Sequence, residues 1–566
     1  MSLFGSIQMA GNTLSAMQIG LHVVGNNIAN ANTPGFIRER VIYTPAPVMK
    51  LGDLTLGLGV EIAGIVQNID QFVAERLRGV GGDRASADIQ SKVYRDLESI
   101  LGELSDTDVS TALTNFFNSI DEVVNQPEEM SVRNLAVQAG KTLVTTISTL
   151  SRRVEGVYEE FTTGVDNLTD EINVLTEQVR KLNLQIVALE GGDPTANQAG
   201  GLRSQRSEAL NRLSEIADIK ITENEVGSTS VYLGGELLVF EGTRREVRTV
   251  FSADNGRSQA AIEFADNSSP LIVNSGELHG IYEARDTIVG GFIERLDEFA
   301  AALIFEFNKV YAQGQGASGY QSITSADKVD NADAVLDAAG LPFTPTNGTF
   351  NVVLYNTATK QETTTTIKVD LDGLLDDSTL ASVAADIDAI AGVTASVTAD
   401  NRLRIQAESA ETRIAFHDDK SGFLAAMGIN TFFTGSKAGD ININGVVAAD
   451  GSKFAASDTG KIGVGIGNAQ KLIALHDAGL ANLDGQTITG MYDNLINETA
   501  QGATVAESVK DGFDVFEQTL EAQFQSVSGV NLDEEAIDMI MLQRTYQASA
   551  RYISTLSELM DILVAL

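Results

Sequence analysis

The sequence predicts a multidomain, mainly α-helical protein with α+β parts. Terminal helices form a coiled-coil-like inner domain, the middle domain is an elongated helical one with β strands, and an α+β outer domain is inserted in it. Three observations support this prediction. Apolar residues recur at spacings of three and four near both ends and along one inner segment, the pattern of packed helices. From about residue 319 the composition changes to Thr, Asp, Ala and Gly with strand-like alternation. The 566 residues suffice for several independent cores.

The charge balance excludes several partner classes. The chain has 39 basic and 77 acidic residues and a formal net charge of −38, which disfavours nucleic acid and anionic lipid. It has no cysteine, so disulfides and thiolate sites are excluded. No stretch predicts a transmembrane helix or a cleaved secretory signal. If this protein leaves the cell, we expect a route that cleaves no signal peptide.

The first predicted helix is amphipathic without being charged. No Asp, Glu, Lys or Arg occurs from Met1 to Ile37. Pro34 stops the helix near Asn32, because proline cannot continue a helix and restricts the residue before it. Such a helix is marginal alone, which favours assembly. Its apolar seam comprises Leu3, Ile7, Ala10, Leu14, Met17, Leu21, Val24 and Ile28.

A similar seam follows "GVNLDEE" at the other end. Asn531 or Asp533 can cap the helix. The carboxylates of Asp533, Glu534 and Glu535 stabilise the helix, because they lie at the positive, N-terminal end of its dipole. The acidic cluster therefore needs no catalytic explanation. The seam comprises Met539, Leu542, Tyr546, Ser549, Ile553, Leu556, Met560 and Leu563.

A third seam, from Val144 to Leu189, predicts a helix roughly 70 Å long at about 1.5 Å per residue. A core face within one chain is favoured over an intermolecular coil for this seam. A shorter helix at 202–216, strands at 231–240 and 245–251, and a helix at 277–312 are expected to follow. Helical pattern resumes near Asn468 after the insert, so we expect the two termini to lie together.

The insert is predicted from alternating strand segments around one helix. "FNVVLYN", "TTTTIKVDL", "TASVTAD", "RLRIQAE" and "TRIAFHDD" indicate strands, and "STLASVAADIDAIA" indicates a helix. The predicted parts are 1–45, the N-terminal half of the terminal domain; 46–318, the first part of the middle domain; 319–460, the insert; 461–527, the return of the middle domain; and 528–566, the C-terminal half of the terminal domain.

Signatures of catalysis and of ligand binding are weak. "DLDG" at 370–373 begins like a calcium loop, but Ala381 occupies the twelfth position, where Glu is needed. "HDD" at 417–419 is interpreted as a solvated strand end. "TGKIGVGIGN" at 459–468 lacks both phosphate-loop spacings and is interpreted as a connector. No catalytic, cofactor-binding or metal residues are predicted, and the chain is expected not to be an enzyme.

Two terminal motifs resemble a known family. "GNNIANANTPGF" (25–36) resembles the N-terminal signature of bacterial flagellar axial proteins of the rod, the hook and the hook–filament junction. "IRERV" (37–41) and "SGVNLDEEAIDMIMLQRTYQASARYISTLSELMDIL" (528–563) are most similar to the junction members. Residues 393–429 resemble the β–α–β module of flagellin-type proteins. The resemblance covers most of the chain.

The resemblance implies a structural role. The terminal helices would form an inner layer around the export channel, and the subunit would join hook to filament in a ring that transmits torque. The motif and turn residues are Asn26, Asn27, Asn30, Thr33, Pro34, Gly35 and Phe36. Subunit contacts are expected from Leu3, Ile7, Leu14, Met17, Leu21, Val24, Ile28, Met539, Leu542, Tyr546, Ile553, Leu556, Met560 and Leu563.

The same resemblance implies partners and location. The partners are copies of the chain, the hook protein, hook-associated protein 3 and a cytoplasmic export chaperone; nucleic acid and membrane insertion are not expected. The location is the extracellular flagellum, reached by type III export without a cleaved signal peptide. Alternatives are another axial protein of hook or rod type, or an axial protein whose insert carries adhesion or enzymatic activity.

Overall fold

The computed structural model describes residues 3–51, 54–102, 108–191, 198–254, 256–374, 376–458, 465–480, 483 and 485–565. The helices are α1 (Leu3–Ala29), α2 (Gln71–Gly102), α3 (Val109–Asn125), α4 (Met130–Glu190), α5 (Gly200–Ile216), α6 (Glu277–Tyr282), α7 (Gly290–Tyr311), α8 (Leu380–Asp388), α9 (Phe423–Ala426), α10 (Gly445–Ala449), α11 (Gly467–Ala474), α12 (Ile488–Ser528) and α13 (Leu532–Ala565). A π-helical turn, Glu283–Val289, joins α6 to α7.

The strands form small antiparallel sheets, in the orders β1-β4, β2-β3, β5-β6-β7-β8, β9-β10, β11-β15-β14, β13-β12-β16 and β17-β18. They are β1 (Glu39–Pro45), β2 (Val48–Leu51), β3 (Leu54–Gly57), β4 (Val60–Gln67), β5 (Ile219–Glu223), β6 (Thr229–Leu233), β7 (Glu236–Phe240), β8 (Thr243–Arg244), β9 (Val247–Asp254), β10 (Arg257–Phe264), β11 (Ser322–Thr324), β12 (Gly348–Asn356), β13 (Glu362–Val369), β14 (Val393–Val397), β15 (Leu403–Ala407), β16 (Thr412–His417), β17 (Phe433–Thr434) and β18 (Asn442–Ile443). No helix of the described ranges is long and apolar enough to cross a bilayer.

The chain divides into two compact units. The first comprises residues 1–93, 159–287 and 504–566, and the second comprises 94–158 and 288–503. Long helices α2, α4 and α12 contribute residues to both. The mixed α and α+β fold class is thus confirmed, whereas the predicted domain boundaries stay a prediction.

Helix α4 confirms the inner seam as a core face. It runs for 61 residues, and the seam is buried from Val144 to Ile186, Leu189 alone being exposed. Polar side chains beside the seam bind neighbouring strands of the first unit: Asn173 Nδ2 donates to the carbonyl of Val247 at 2.8 Å. The seam therefore packs within one chain, as favoured above.

In the second unit, aromatic side chains join helices to the segment after the α+β sheets. Phe116 of α3 lies 5.2 Å from Phe307 of α7 and 5.3 Å from Phe432, between ring centroids. Phe454 contacts Phe432 at 5.9 Å. Residues 430–456, which were predicted as part of the insert, thus contribute to the core of helices α3 and α7.

The α+β sheets have their own hydrophobic core. Strands β12 to β16 and helix α8 occur where the sequence predicts them, and α8 begins with a capping box between Thr379 and Ser382. The core includes Phe350, Ile367, Leu380, Leu403 and Phe416, each at most 3% exposed. Strands β1 to β4, in contrast, lie in a region where the sequence analysis predicted no strands.

Candidate assembly site

The two terminal helices pack along one another, as expected. A glycine in α1 permits the close approach: a Cβ atom at Gly20 would collide with the Tyr43 hydroxyl of β1 and lie 3.2 Å from Leu542 Cδ1 of α13. Leu542 and Leu556 are buried. Small residues of this kind let two helix backbones and a strand come together, so the N- and C-terminal motifs form one structural element.

The asparagine block fastens the end of α1 to the start of β1. Asn27 is 1% exposed; its amide accepts from the backbone N–H of Glu39 at 3.0 Å and donates to the Glu39 carbonyl at 2.9 Å. Asn26 Nδ2 donates to the Glu39 carboxylate at 3.3 Å. Asn30 Nδ2 donates to the carbonyl of Asn26 at 2.9 Å. The amides supply both donors and acceptors and carry no charge of their own.

The Thr-Pro-Gly segment completes the turn. The Thr33 hydroxyl donates to Asn30 Oδ1 at 3.3 Å, and the Phe36 N–H donates to the Thr33 carbonyl at 3.2 Å. Gly35 has φ +71°, in the left-handed region that only glycine adopts readily. The chain thereby leaves α1 and enters β1, as the proline at position 34 predicts.

An ion-paired cluster ties this turn to α13. Arg38 Nε donates to Glu535 Oε1 at 2.6 Å, and Asn27 Nδ2 donates to Glu535 Oε2 at 3.1 Å. Arg38 also pairs with Glu534 at 3.0 Å. Glu535 is 1% exposed, so removing one of its partners would leave a poorly compensated charge. This cluster holds three segments, α1, β1 and α13, in one arrangement.

The cap of α13 agrees with the sequence prediction. Asn531 Oδ1 accepts from the backbone N–H groups of Asp533 at 3.0 Å and of Glu534 at 3.4 Å. The sequence did not predict that Glu535 bonds Arg38, 497 positions away.

Burial shifts two ionisable groups at this site. Desolvation raises the pKa of Glu39, against the opposing effects of the Asn26 hydrogen bond and of His22. Desolvation, with the nearby charge of Asp538, raises the pKa of Tyr43. Both groups line a small cleft of about 170 Å³ beside α1 and α13.

The predicted contact residues are largely on the faces that α1 and α13 turn inward. Val24, Leu542 and Leu556 are buried. The side chain of Leu563 lies outside the described residues. The others are half-buried: Leu3, Ile7, Leu14, Met17, Leu21, Ile28, Met539, Tyr546, Ile553 and Met560. These seams therefore have apolar neighbours within one chain, and their role between subunits stays a prediction.

A second apolar face of α13 is exposed and was not singled out in the sequence. Its most exposed large member in the helix interior is Ile537, at 66%. The exposed apolar residues of α13 are Leu532, Ile537, Ile540, Met541, Tyr552, Leu559, Ile562 and Val564. On α1, Phe4 and Ile19 are exposed as well. An apolar surface of this extent on a helix pair is typical of a protein contact site.

Two acidic segments that could be considered as metal sites, 417–419 and 370–377, are not assigned a ligand. Asp419 of "HDD" is not solvated, as the sequence was interpreted, but buried. It accepts backbone hydrogen bonds from Ser421, Gly422 and Leu424 at 2.9 Å each, so it organises the turn before α9. Carboxylate oxygens of Asp370, Asp372 and Asp377 lie within 4.8 Å of one another. An acidic cluster of this kind is common without an ion, and we assign it no ligand.

Comparisons with known proteins identify the same regions. The model of the "flagellar hook-associated protein FlgK helical domain" matches residues 94–324. The "flagella basal body rod protein" model matches residues 7–36, and the "flagellar basal body rod FlgEFG protein C-terminal" model matches 521–566. The two rod models thus coincide with α1 and its turn, and with the end of α12 and α13.

Relatives align over nearly the whole chain. Flagellar hook-associated protein 1 of Bacillus subtilis is 25% identical, with 99% of this chain and 97% of the relative covered. The Escherichia coli protein of the same name is 24% identical, with 99% of each covered.

A solved structure has the same fold. "The flagellar hook junction protein FlgK from Burkholderia pseudomallei" has a TM-score of 0.52 and 14% identity, over 80% of this chain and all of that one. The matching domain models and the full-length relatives agree: the chain is similar over nearly its whole length to flagellar hook-associated protein 1, which belongs to a family of structural flagellar proteins and not of enzymes.

Proposed function

We propose that this protein is a structural subunit of the junction between the flagellar hook and filament. Copies assemble through their terminal helices into a ring around the export channel and transmit torque. The names of the relatives and of the matching solved structure support the junction. The single observation that carries the assembly mechanism is the exposed apolar face of α13.

The geometry favours docking of a preformed helix pair. Within one chain α1 already covers the Leu542–Leu556 side of α13, so Met541 and Leu559 on another side remain for a neighbour. Burying one such side chain contributes roughly 1.5–3 kcal/mol. Several such side chains per copy, repeated around a ring, provide a stable contact. This contact needs no ion pair from the N-terminal 37 residues, which contain no Asp, Glu, Lys or Arg.

The ion-paired cluster suits the transmission of load. Arg38 donates its backbone N–H to the carbonyl of Ser528 at 3.0 Å while its side chain binds Glu535. Asn27 connects the same carboxylate to α1. A force on either terminal helix therefore acts on both helices and on β1 together, because breaking the cluster would expose buried polar groups.

The partners follow from the same position in the flagellum. They are further copies of this chain, the hook protein on one side and hook-associated protein 3 on the other. Export proceeds without a cleaved signal peptide, and a cytoplasmic chaperone shields the apolar C-terminal helix beforehand. The high negative charge keeps such a chain soluble during this stage.

The test is complementation of a deletion strain with Met541→Asp/Leu559→Asp. Both positions are exposed, at 58% and 53%, so we expect the purified double variant to melt like the parent chain. In cells we expect hooks without filaments and flagellin shed into the medium. Glu558→Lys, an exposed charge change on the same helix, is the matched control and should restore filaments. Normal filaments with the double variant would contradict the mechanism, and missing hooks in the deletion strain would indicate an earlier axial component.

A further inference from the structure

The edge strand β13 has a free row of backbone groups on its outer side. β13 is at the edge of the sheet β13-β12-β16 and pairs only with β12. The Asn356 N–H donates to the Gln361 carbonyl at 2.9 Å in this ladder. Since bonded pairs alternate along antiparallel strands, the odd-numbered residues of β13 bond β12. The backbone groups of Glu362, Thr364, Thr366 and Lys368 therefore point outward.

The end of this row supports the assignment. Asp370, the next even-numbered residue, has its outward groups occupied: its N–H donates to Ser378 Oγ at 2.9 Å, and its carbonyl accepts from the Ser378 N–H at 2.7 Å. From 362 to 368 the described part of the chain provides no such partner. The side chains of Glu362, Thr364, Thr366 and Lys368 are also exposed. A row of unpaired strand groups is a template for another strand.

The strand sequence is complementary to itself when antiparallel. When two copies of β13 pair with Thr365 of one opposite Thr365 of the other, Glu362 of each copy lies opposite Lys368 of the other. Thr364 of each copy likewise lies opposite Thr366 of the other. Glu362 has no ion pair among the described residues, and Lys368 pairs within the chain only with the partly exposed Asp370. Opposite charges directly across a strand pair stabilise it, as do facing threonines.

Charge also selects this register against its neighbours. A shift of two residues in one direction places Lys360 opposite Lys368, and in the other direction it places Glu362 opposite Asp370. Like charges opposite one another are destabilising. A shift of one residue would place the even-numbered residues of one copy opposite the odd-numbered residues of the other. The backbone groups of those odd-numbered residues already bond β12, so they could not bond the second copy.

We infer that two copies of this chain pair through β13, edge to edge, with a two-fold axis at Thr365. The contact joins the same surface of both partners, so it is isologous. A head-to-tail ring repeats a heterologous contact, and β13 pairing is therefore separate from the ring proposed above. It would join copies outside one ring, such as copies that have not yet assembled.

The test uses disulfide formation in the full chain, which has no cysteine of its own. In the proposed register the two Thr365 residues form a non-bonded pair, with Cα atoms about 4.5 Å apart, within the range that a disulfide spans. We expect Thr365→Cys to give a covalent dimer under mild oxidation at least about tenfold faster than Thr359→Cys, an exposed position in the preceding turn, because pairing raises the effective concentration.

Charge reversal tests the register. Adding Glu362→Lys to Thr365→Cys should slow the cross-link about tenfold, because two repulsive pairs replace two attractive ones. Adding Lys368→Glu as well should restore the rate. Equal rates at 365 and 359, or a rate at 365 that ignores Glu362→Lys, would overturn the proposal and leave β13 a solvated edge or a strand for another partner.

A second measurement does not depend on the cysteine. Thr364→Pro removes an outward N–H and leaves the β12 ladder intact, as edge-strand proline can. In sedimentation at rising concentration, we expect the parent chain to dimerise and Thr364→Pro to remain monomeric with an unchanged melting temperature. A parent chain that stays monomeric, or a proline variant that dimerises equally, would overturn the proposal.

Discussion

The α+β sheets and the terminal helix pair bury apolar side chains to very different extents. Among the described residues of 320–429, Leu374 is the one exposed large apolar side chain. Helix α13 alone exposes eight such residues. A region that closes its own core needs no partner to be stable, whereas a helix with apolar residues on two sides leaves one side for a neighbour. We therefore expect the α+β sheets to be stable on their own and the terminal helix pair to be completed by a neighbour.

The largest expected effect concerns where the α+β module ends. Deleting 320–459, so that Gly319 joins Gly460, also removes Phe432, Phe433 and Phe454 from the aromatic core. Each large aromatic lost there costs about 3–5 kcal/mol, so we expect the second unit to unfold. Chemical denaturation of the purified deletion measures this.

The matched shorter deletion should be tolerated. Asn430 donates to the carbonyls of Ala312 and Gly314 at 2.9 Å each, so the ends of 320–429 lie close together. Joining Gly319 to Asn430 through a short glycine linker should keep the helical melting transition and still seat a filament. A longer deletion that melts like the parent chain would favour the predicted boundary at residue 460.

A proline in the terminal pair should have the next largest effect. Leu556→Pro removes a backbone donor and clashes with the Tyr552 carbonyl, which costs about 3 kcal/mol or more. Loss of the buried leucine adds about 2–5 kcal/mol. We expect α13 to separate from α1 and the junction to fail, while the second unit melts unchanged. Glu558→Ala, at an exposed position, should be silent in filament growth and melting.

A smaller effect is expected at the asparagine turn. Asn27→Asp replaces the amide that donates to Glu535 with a second carboxylate. Buried hydrogen-bonding groups then lack partners, which should destabilise the folded state by about 1–3 kcal/mol. Hydrogen exchange of α1 and α13 should become faster. Asn32→Asp, at an exposed position in the same motif, is the control. Unchanged exchange in Asn27→Asp would mean that the cluster does not hold the pair together.

The smallest effect is a pH dependence at Glu39. Burial raises the pKa of this carboxyl, so its contribution to stability is complete below the unfolded-state pKa and is lost as pH rises through the folded-state value. Glu39→Gln should therefore raise the melting temperature slightly at neutral pH and not at acidic pH. Glu61→Gln, at an exposed position, should show no such difference. A gain at acidic pH alone would reverse the assigned sign.

Much of the fold could be predicted because its patterns are local. The seam of α4, the strands around α8 and the proline after α1 each follow from neighbouring residues. The Arg38–Glu535 pair could not be predicted, since no local pattern joins residues 497 positions apart. The outer face of α13 was missed because Arg544 and Arg551 interrupt it, whereas the inner seam has a regular spacing.

The most direct test of the central claim is thiol labelling of α13 in free and assembled protein. Leu559→Cys introduces a thiol on the exposed apolar face, and Glu558→Cys introduces one beside it, in a chain without cysteine. Both should react rapidly with a maleimide in the free chain. In isolated hook–filament junctions, we expect position 559 to be protected at least about tenfold, as a buried contact requires, and position 558 to be protected less. A thiol at 559 that reacts as fast in the junction as in the free chain would contradict the claim that this face joins subunits.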